Sequence, residues 1–320
     1  MARQNPSNSA HGLHPWGPIW VAGGALLWAT DALFRSQLVE SYSPLWIVFM
    51  SHLICLAVAL PLTIKSWRKW TQFHWSDWLA LVVLSLGGSI LAMVLFTYAF
   101  AHTSNYTIPI LIQKLQPLIA VLLARVILKE KWQKGFGFVL VAALSGAVLI
   151  SWPNQWQSPS WHSDDFLSLL AAVGAAVFWG GCTVAGRHLI ATFGFLEITA
   201  ARYFLAFLLL VPVVPFFGEW TTLAATPPSD WWNFLLMAWG PGYLALVVYY
   251  KGLEGTQASV ATLCELAFPV GAVLINWVFL DSPLSLQQIL GAVLLVGSVT
   301  WLSYHHAWSY KKGLVEVPFE

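Results

Sequence analysis

A chain of 320 residues with 58% apolar side chains, 9% charged ones and a mean hydropathy of +0.69 holds more apolar surface than a single water-soluble domain can bury. Its composition places it in a membrane. The net charge of +1 offers no basic field along which nucleic-acid phosphates could be held, so nucleic-acid binding is excluded.

The chain opens on a polar lead, residues 1–17, read as a cytoplasmic N-terminal segment. It carries one arginine, Arg3, and the first apolar run has no small-residue cleavage site of the kind that ends a removable signal peptide. Apolar segments of about 20 residues, enough to cross a bilayer, then recur at 19–38, 44–65, 78–101, 105–128 and 135–152. Five more follow at 165–190, 194–217, 231–251, 258–279 and 285–304. The pattern predicts an all-α integral membrane protein with ten transmembrane helices. A polar linker at 153–164, expected outside the cell, divides a first unit, 18–152, from a second, 165–304, and residues 305–320 form a cytoplasmic tail.

Tryptophan favours the headgroup layer and so tests the division. Of the 20 tryptophans, only Trp28, Trp46, Trp179, Trp239 and Trp277 fall inside a segment rather than at or beyond its ends. With both termini in the cytoplasm, Arg3, Lys65, Arg68, Lys69, Lys129, Lys131, Lys134, Arg187, Lys251, Lys311 and Lys312 gather on the inner side. Glu40, Asp164, Asp165, Glu219, Asp230 and Asp281 fall outside. The positive-inside bias therefore predicts a multi-pass protein of the inner membrane with N- and C-termini cytoplasmic.

The two units repeat one another. Trp28 answers to Trp179, Tyr98 to Tyr250, Pro117 to Pro269, Leu128 to Leu280 and Gln113 to Glu265, at shifts of 151 or 152 residues. Five segments per unit is an odd number, so the second copy enters the membrane in the opposite direction. Such inverted five-helix repeats suit alternating access around a site near the midplane.

The stretches "LQPLIAVLLARVILKEKWQKGFGFVLVAALSGAVL" and "FPVGAVLINWVFLDSPLSLQQILGAVLLVGSV" resemble the ends of the repeats in the EamA-like branch of the drug/metabolite transporter superfamily. "TAARYFLAFLLL" is similar to that family's arginine-bearing span, through Arg202. The chain departs from the pattern at Ser282, which takes the slot of Glu130, and at Ser51 and His52 in the first repeat. The resemblance implies a transporter in which the first, third, fourth, sixth, eighth and ninth spans surround a central cavity. It leaves the substrate open, because one fold serves many substrates.

Charged side chains deep in a bilayer are costly and therefore informative. Lys114 lies about 14 Å from the outer end of its segment at about 1.5 Å per residue, and continues into a stripe with Leu118, Val121 and Arg125. It is expected to face substrate, or to be locked to an internal carboxylate; Arg125 is expected to meet substrate or to cap the helix end. Pro117, and Pro269 in the second copy, are expected to bend their helices. Glu265 could carry a proton, hold a substrate ammonium or pair with Lys114 or Arg202. Asp31 could share the coupling role or be neutralised by Arg35, four residues on. Trp28 and Trp179 are candidate stacking platforms, and Gln113, Tyr98 and Tyr250 are added as substrate contacts. Arg202 is read as structural, held by Glu197.

Cys55, Cys182 and Cys264 lie in separate segments without pairing or CxxC spacing and read as packing residues. The histidines form no ligand pattern, so no metal and no cofactor are expected. Motifs of proteases, lipases and ATPases are absent, which removes the cues for an enzyme. The expected function is a gradient-driven secondary transporter for a small polar or amphipathic metabolite, an amino acid or amine. The partners are that substrate and the lipid bilayer, with monomer and homodimer both open. The alternatives are an anion exchanger for phosphorylated or nucleotide-linked sugars, motivated by Lys114 and Arg125, and a non-transporting membrane enzyme or receptor.

Overall fold

The computed structural model describes residues 15–38, 41–101, 109, 112–132, 134–152, 163–217, 226–279 and 285–311. The helices in these residues are α1 (Gly17–Ala29), α2 (Asp31–Leu38), α3 (Pro44–Trp70), α4 (Trp75–Val82), α5 (Ala92–Ala101), α6 (Gln116–Ile127), α7 (Phe136–Ser151) and α8 (Ser163–Ile190). They continue with α9 (Phe195–Leu210), α10 (Val213–Phe216), α11 (Pro228–Met237), α12 (Ala245–Glu254), α13 (Ala258–Cys264), α14 (Ala267–Phe279) and α15 (Leu286–Lys311). No strand occurs among the described residues.

Among the described residues, seven stretches are long and apolar enough to cross a membrane: Pro44–Trp70, Trp75–Ala99, Phe166–Ile190, Phe195–Phe216, Pro228–Glu254, Ala258–Phe279 and Leu286–His305. Ten were expected, and the shortfall has physical causes. The first expected segment is divided at Thr30 into α1 and α2. The fourth is interrupted at Lys114 and begins among residues outside those described. The fifth, α7, has 16 residues.

Packing between helices is reciprocal. α1, from the first half, lies against α12 and α14 of the second, whereas α8, from the second half, lies against α5 and α6 of the first; α3 pairs with α9, and α7 with α15. Apolar side chains meeting lipid and each other alike give helices little reason to associate, so small residues that admit close backbone approach decide such contacts. A Cβ on Gly24 would stand 2.8 Å from the Tyr249 side chain, and one on Gly180 would stand 3.0 Å from the Gln116 carbonyl.

Among the described residues, π-helical turns occur at Val83–Leu91, between α4 and α5, and at Ala238–Leu244, between α11 and α12. They fall at matching places in the two repeats. The Cys182 thiol donates to the Val83 carbonyl (3.3 Å) and the Cys55 thiol to the Ala238 carbonyl (3.2 Å), so each half supplies a donor to the first carbonyl of the other half's π turn. All three cysteines are free and buried.

At the end expected in the cytoplasm, polar ties join the helices, all but the bond from Arg187 to Glu254 crossing between the halves. The buried Glu130 carboxylate accepts from the Ala258 N–H (2.7 Å), the Ser259 N–H (3.0 Å) and the Ser259 hydroxyl (2.6 Å), which caps α13. His188 meets Asp77 at 3.0 Å, and Arg187 donates to the Glu254 carbonyl at 3.0 Å. Glu197 pairs with Lys69, not with Arg202.

Candidate functional site

One cavity of about 480 Å³ opens inside the bundle, walled by residues of α1 to α3, both π turns, the two interrupted helices, α8 and α9. Its position follows from how those helices break. The first interruption falls at Lys114–Leu115, after which α6 starts at Gln116; the second falls at Glu265–Leu266, after which α14 starts at Ala267. In repeat numbering the two breaks fall one residue apart, since Glu265 answers to Gln113 and Lys114 to Leu266. Each puts an ionisable side chain on the cavity wall.

Pro117 and Pro269, expected to bend their helices, stand in the first turns that follow the two interruptions. A missing N–H is cheap there, because the first N–H groups of a helix have no internal acceptor. The break also ends the predicted stripe along one helix face. Lys114 is buried and Val121 is buried, whereas Leu118 is exposed, and Arg125 turns away to donate to the Glu130 carbonyl at 2.8 Å.

Trp28 and Trp179 both line the cavity. The Trp28 ring lies 4.8 Å from that of Tyr249, centroid to centroid, and the Trp179 indole N–H donates to the Gly88 carbonyl at 3.2 Å, with Phe96 packed edge-on at 5.2 Å. Gln113 and Tyr250 are also on the wall. Tyr98 is not: it is 38% exposed, while Met93, Phe96 and Thr97, spaced for one helix face, fill the wall from its helix.

The two cavity carboxylates are differently engaged. Asp31 pairs with Arg35 through both carboxylate oxygens. Glu265 accepts from the Tyr249 hydroxyl (2.7 Å), the Thr183 hydroxyl (3.0 Å) and the Gln116 amide (2.8 Å), with no cation in contact among the described residues. Lys114 thus pairs with neither acid. Arg202, read from the sequence as structural, lines the cavity and donates to the Ser89 hydroxyl and to the Tyr250 hydroxyl, each at 2.9 Å.

Tyr249, Thr183, Gln116, Ser89 and Arg202 escaped the sequence reading as site residues. A signal for part of this set stood in the glycine-rich "LGGSI" and "WGPGY", where the π turns form and π turns often accompany function. Among the described residues no cluster of His, Cys, Asp and Glu could hold a metal ion.

Residues 15–152 and 166–304 each match the model of the EamA-like transporter family. The riboflavin transporter ImpX of Fusobacterium nucleatum is 29% identical over 91% of this chain and 98% of its own length. Protein PecM of Dickeya dadantii is 24% identical over 85% of this chain and 87% of its own, and the uncharacterized transporter YyaM of Bacillus subtilis is 26% identical over 63% and 66%. A solved crystal structure superposes with a TM-score of 0.69 over 91% of this chain and 98% of that one, at 18% identity, which speaks to the fold alone. With two family matches spanning nearly all of the chain, the protein belongs to the EamA-like transporter family of the drug/metabolite transporter superfamily.

Proposed function

We propose that this chain is a secondary transporter that moves a small amphipathic metabolite with a planar aromatic body across the inner membrane by alternating access. The observation that carries the reading is the pair of repeat-related indoles, Trp28 and Trp179, on one polar cavity inside the bundle. The volume of about 480 Å³ lies within the range of about 300–1,000 Å³ usual for metabolite sites. Flat rings are good partners for flat rings, and the relative named as a riboflavin transporter supports a substrate of that shape.

In this reading the units 18–152 and 165–304, joined by 153–164, are inserted as ten spans in opposite directions with both termini cytoplasmic. They exchange shapes to open each side in turn. The reciprocal packing of α1 and α8, the paired π turns and the matching interruptions support it. Trp28, Trp179, Gln113, Lys114 and Tyr250 are the proposed substrate contacts, joined by Arg202. Proton coupling falls to Glu265, which meets only neutral donors, rather than to Asp31, which Arg35 holds.

The amino acid or amine expected from the sequence loses support, because both cavity carboxylates are already engaged by the protein. The test is riboflavin flux into proteoliposomes, with and without a pH gradient. Saturable flux that the gradient accelerates is expected. Absence of flux for riboflavin and other flat heteroaromatics, with turnover of a substrate in its place, would replace the carrier by a membrane enzyme.

A further inference from the structure

Among the described residues, two polar groups on the cavity wall have no protein partner. Lys114 is 8% exposed and makes neither a hydrogen bond nor an ion pair with any described residue. The hydroxyl of Thr262, fully buried, likewise has no partner. A third group, the Arg202 guanidinium, meets hydroxyls of Ser89 and Tyr250 and no carboxylate.

A buried ammonium without a counter-charge is costly, and a buried polar atom without a partner is rare enough to require a reason. Ligand contacts supply that reason. The acids give none, since Asp31 is held by Arg35 and Glu265 by three donors.

We propose that Lys114 determines substrate specificity: it takes an electron-rich oxygen of the ligand, so the cavity accepts neutral or anionic planar heteroaromatics and rejects planar cations. This rests on the reading that the cavity carries a flat aromatic substrate. The oxygen could belong to a ring carbonyl or to a phosphate on a side chain. Both offer an acceptor to the ammonium, and a phosphate adds charge.

The experiment measures quenching of tryptophan fluorescence in purified full-length protein by riboflavin, by its 5′-phosphate and by an acridinium dye. Wild type should bind a flavin at least about ten-fold more tightly than the dye, which is about 1.4 kcal/mol. Lys114→Met should erase that preference, and Lys114→Arg should restore part of it. Equal affinity for riboflavin and its phosphate identifies the ring carbonyl as the oxygen; tighter binding of the phosphate identifies the phosphate.

Thermal melting without ligand supplies a second readout and controls for folding. Removing an uncompensated buried charge should leave the apparent Tm of Lys114→Met unchanged or raised. A lowered Tm would mean that Lys114 has an internal partner, and would overturn the proposal. A flavin preference that survives in Lys114→Met and collapses only in Trp28→Ala would also overturn it, while sparing the aromatic reading. Binding of none of the three probes to wild type would overturn the aromatic reading and this proposal together.

Discussion

The two interrupted helices share a backbone and differ in chemistry. Each stops within one residue of the same point of its repeat, and each restarts with a proline in its first turn. At the first break the side chain is Lys114, without a partner among the described residues; at the second it is Glu265, held by Tyr249, Thr183 and Gln116. The two repeats share a scaffold, and their sequences differ so that only the second break is furnished with a fixed shell of donors among the described residues. The same contrast recurs at the loop that follows the first break: Glu130 caps α13 through three hydrogen bonds, and its repeat counterpart is the uncharged Ser282, which lies outside the described residues.

The comparison can be broken at its strongest point by Glu130→Ala, which strips the acceptor from two buried backbone N–H groups. A destabilisation of about 3 kcal/mol is expected at about 1–3 kcal/mol per unsatisfied group, read as a lower Tm. Cysteines placed on the cavity wall should also become more reactive from the cytoplasmic side. Unchanged melting and unchanged labelling would show that the cap does not hold the two halves together.

Glu265→Gln should uncouple flux from the pH gradient while the cavity persists. Flux that still responds to the gradient would move the coupling group elsewhere. A smaller effect is expected from Gly180→Ala, whose Cβ must push against the Gln116 carbonyl beside the first break. Overpacking there should cost about 1–3 kcal/mol, and a Tm equal to wild type would show that the helices have room to part. Tyr249→Phe keeps the ring against Trp28 and removes one donor to Glu265, for which about 1 kcal/mol is expected, measured as a modest loss of flux. Tyr98→Phe should change nothing, because Tyr98 stands off the cavity wall; a transport defect would contradict the placement.

Much of this was legible in the sequence because bilayers enforce coarse patterns. Apolar length, tryptophan position and the shift of 152 residues located most helices and paired Gln113 with Glu265. Trp28, Trp179, Lys114 and Glu265 stood out because each is expensive or unusual inside an apolar run. What escaped depends on where a helix stops being regular. Pro117 suggested a bend, and the helix is interrupted just before it; beyond that interruption Arg125 turns to the Glu130 carbonyl. The π turn before α5 likewise shifted the wall onto Met93, Phe96 and Thr97 and left Tyr98 aside. Arg202 was expected to be held by Glu197, near it in sequence, whereas Lys69, remote in sequence, claims that acid in space.

Cys55 and Cys182, besides steadying the π turns, both border the cavity. A mercurial or small maleimide entering by the substrate's own route would meet sulfur at the very turns that shape the chamber. Block of flux by such reagents, slowed when the chamber is filled, would then follow from nothing more than each half lending its thiol to the other.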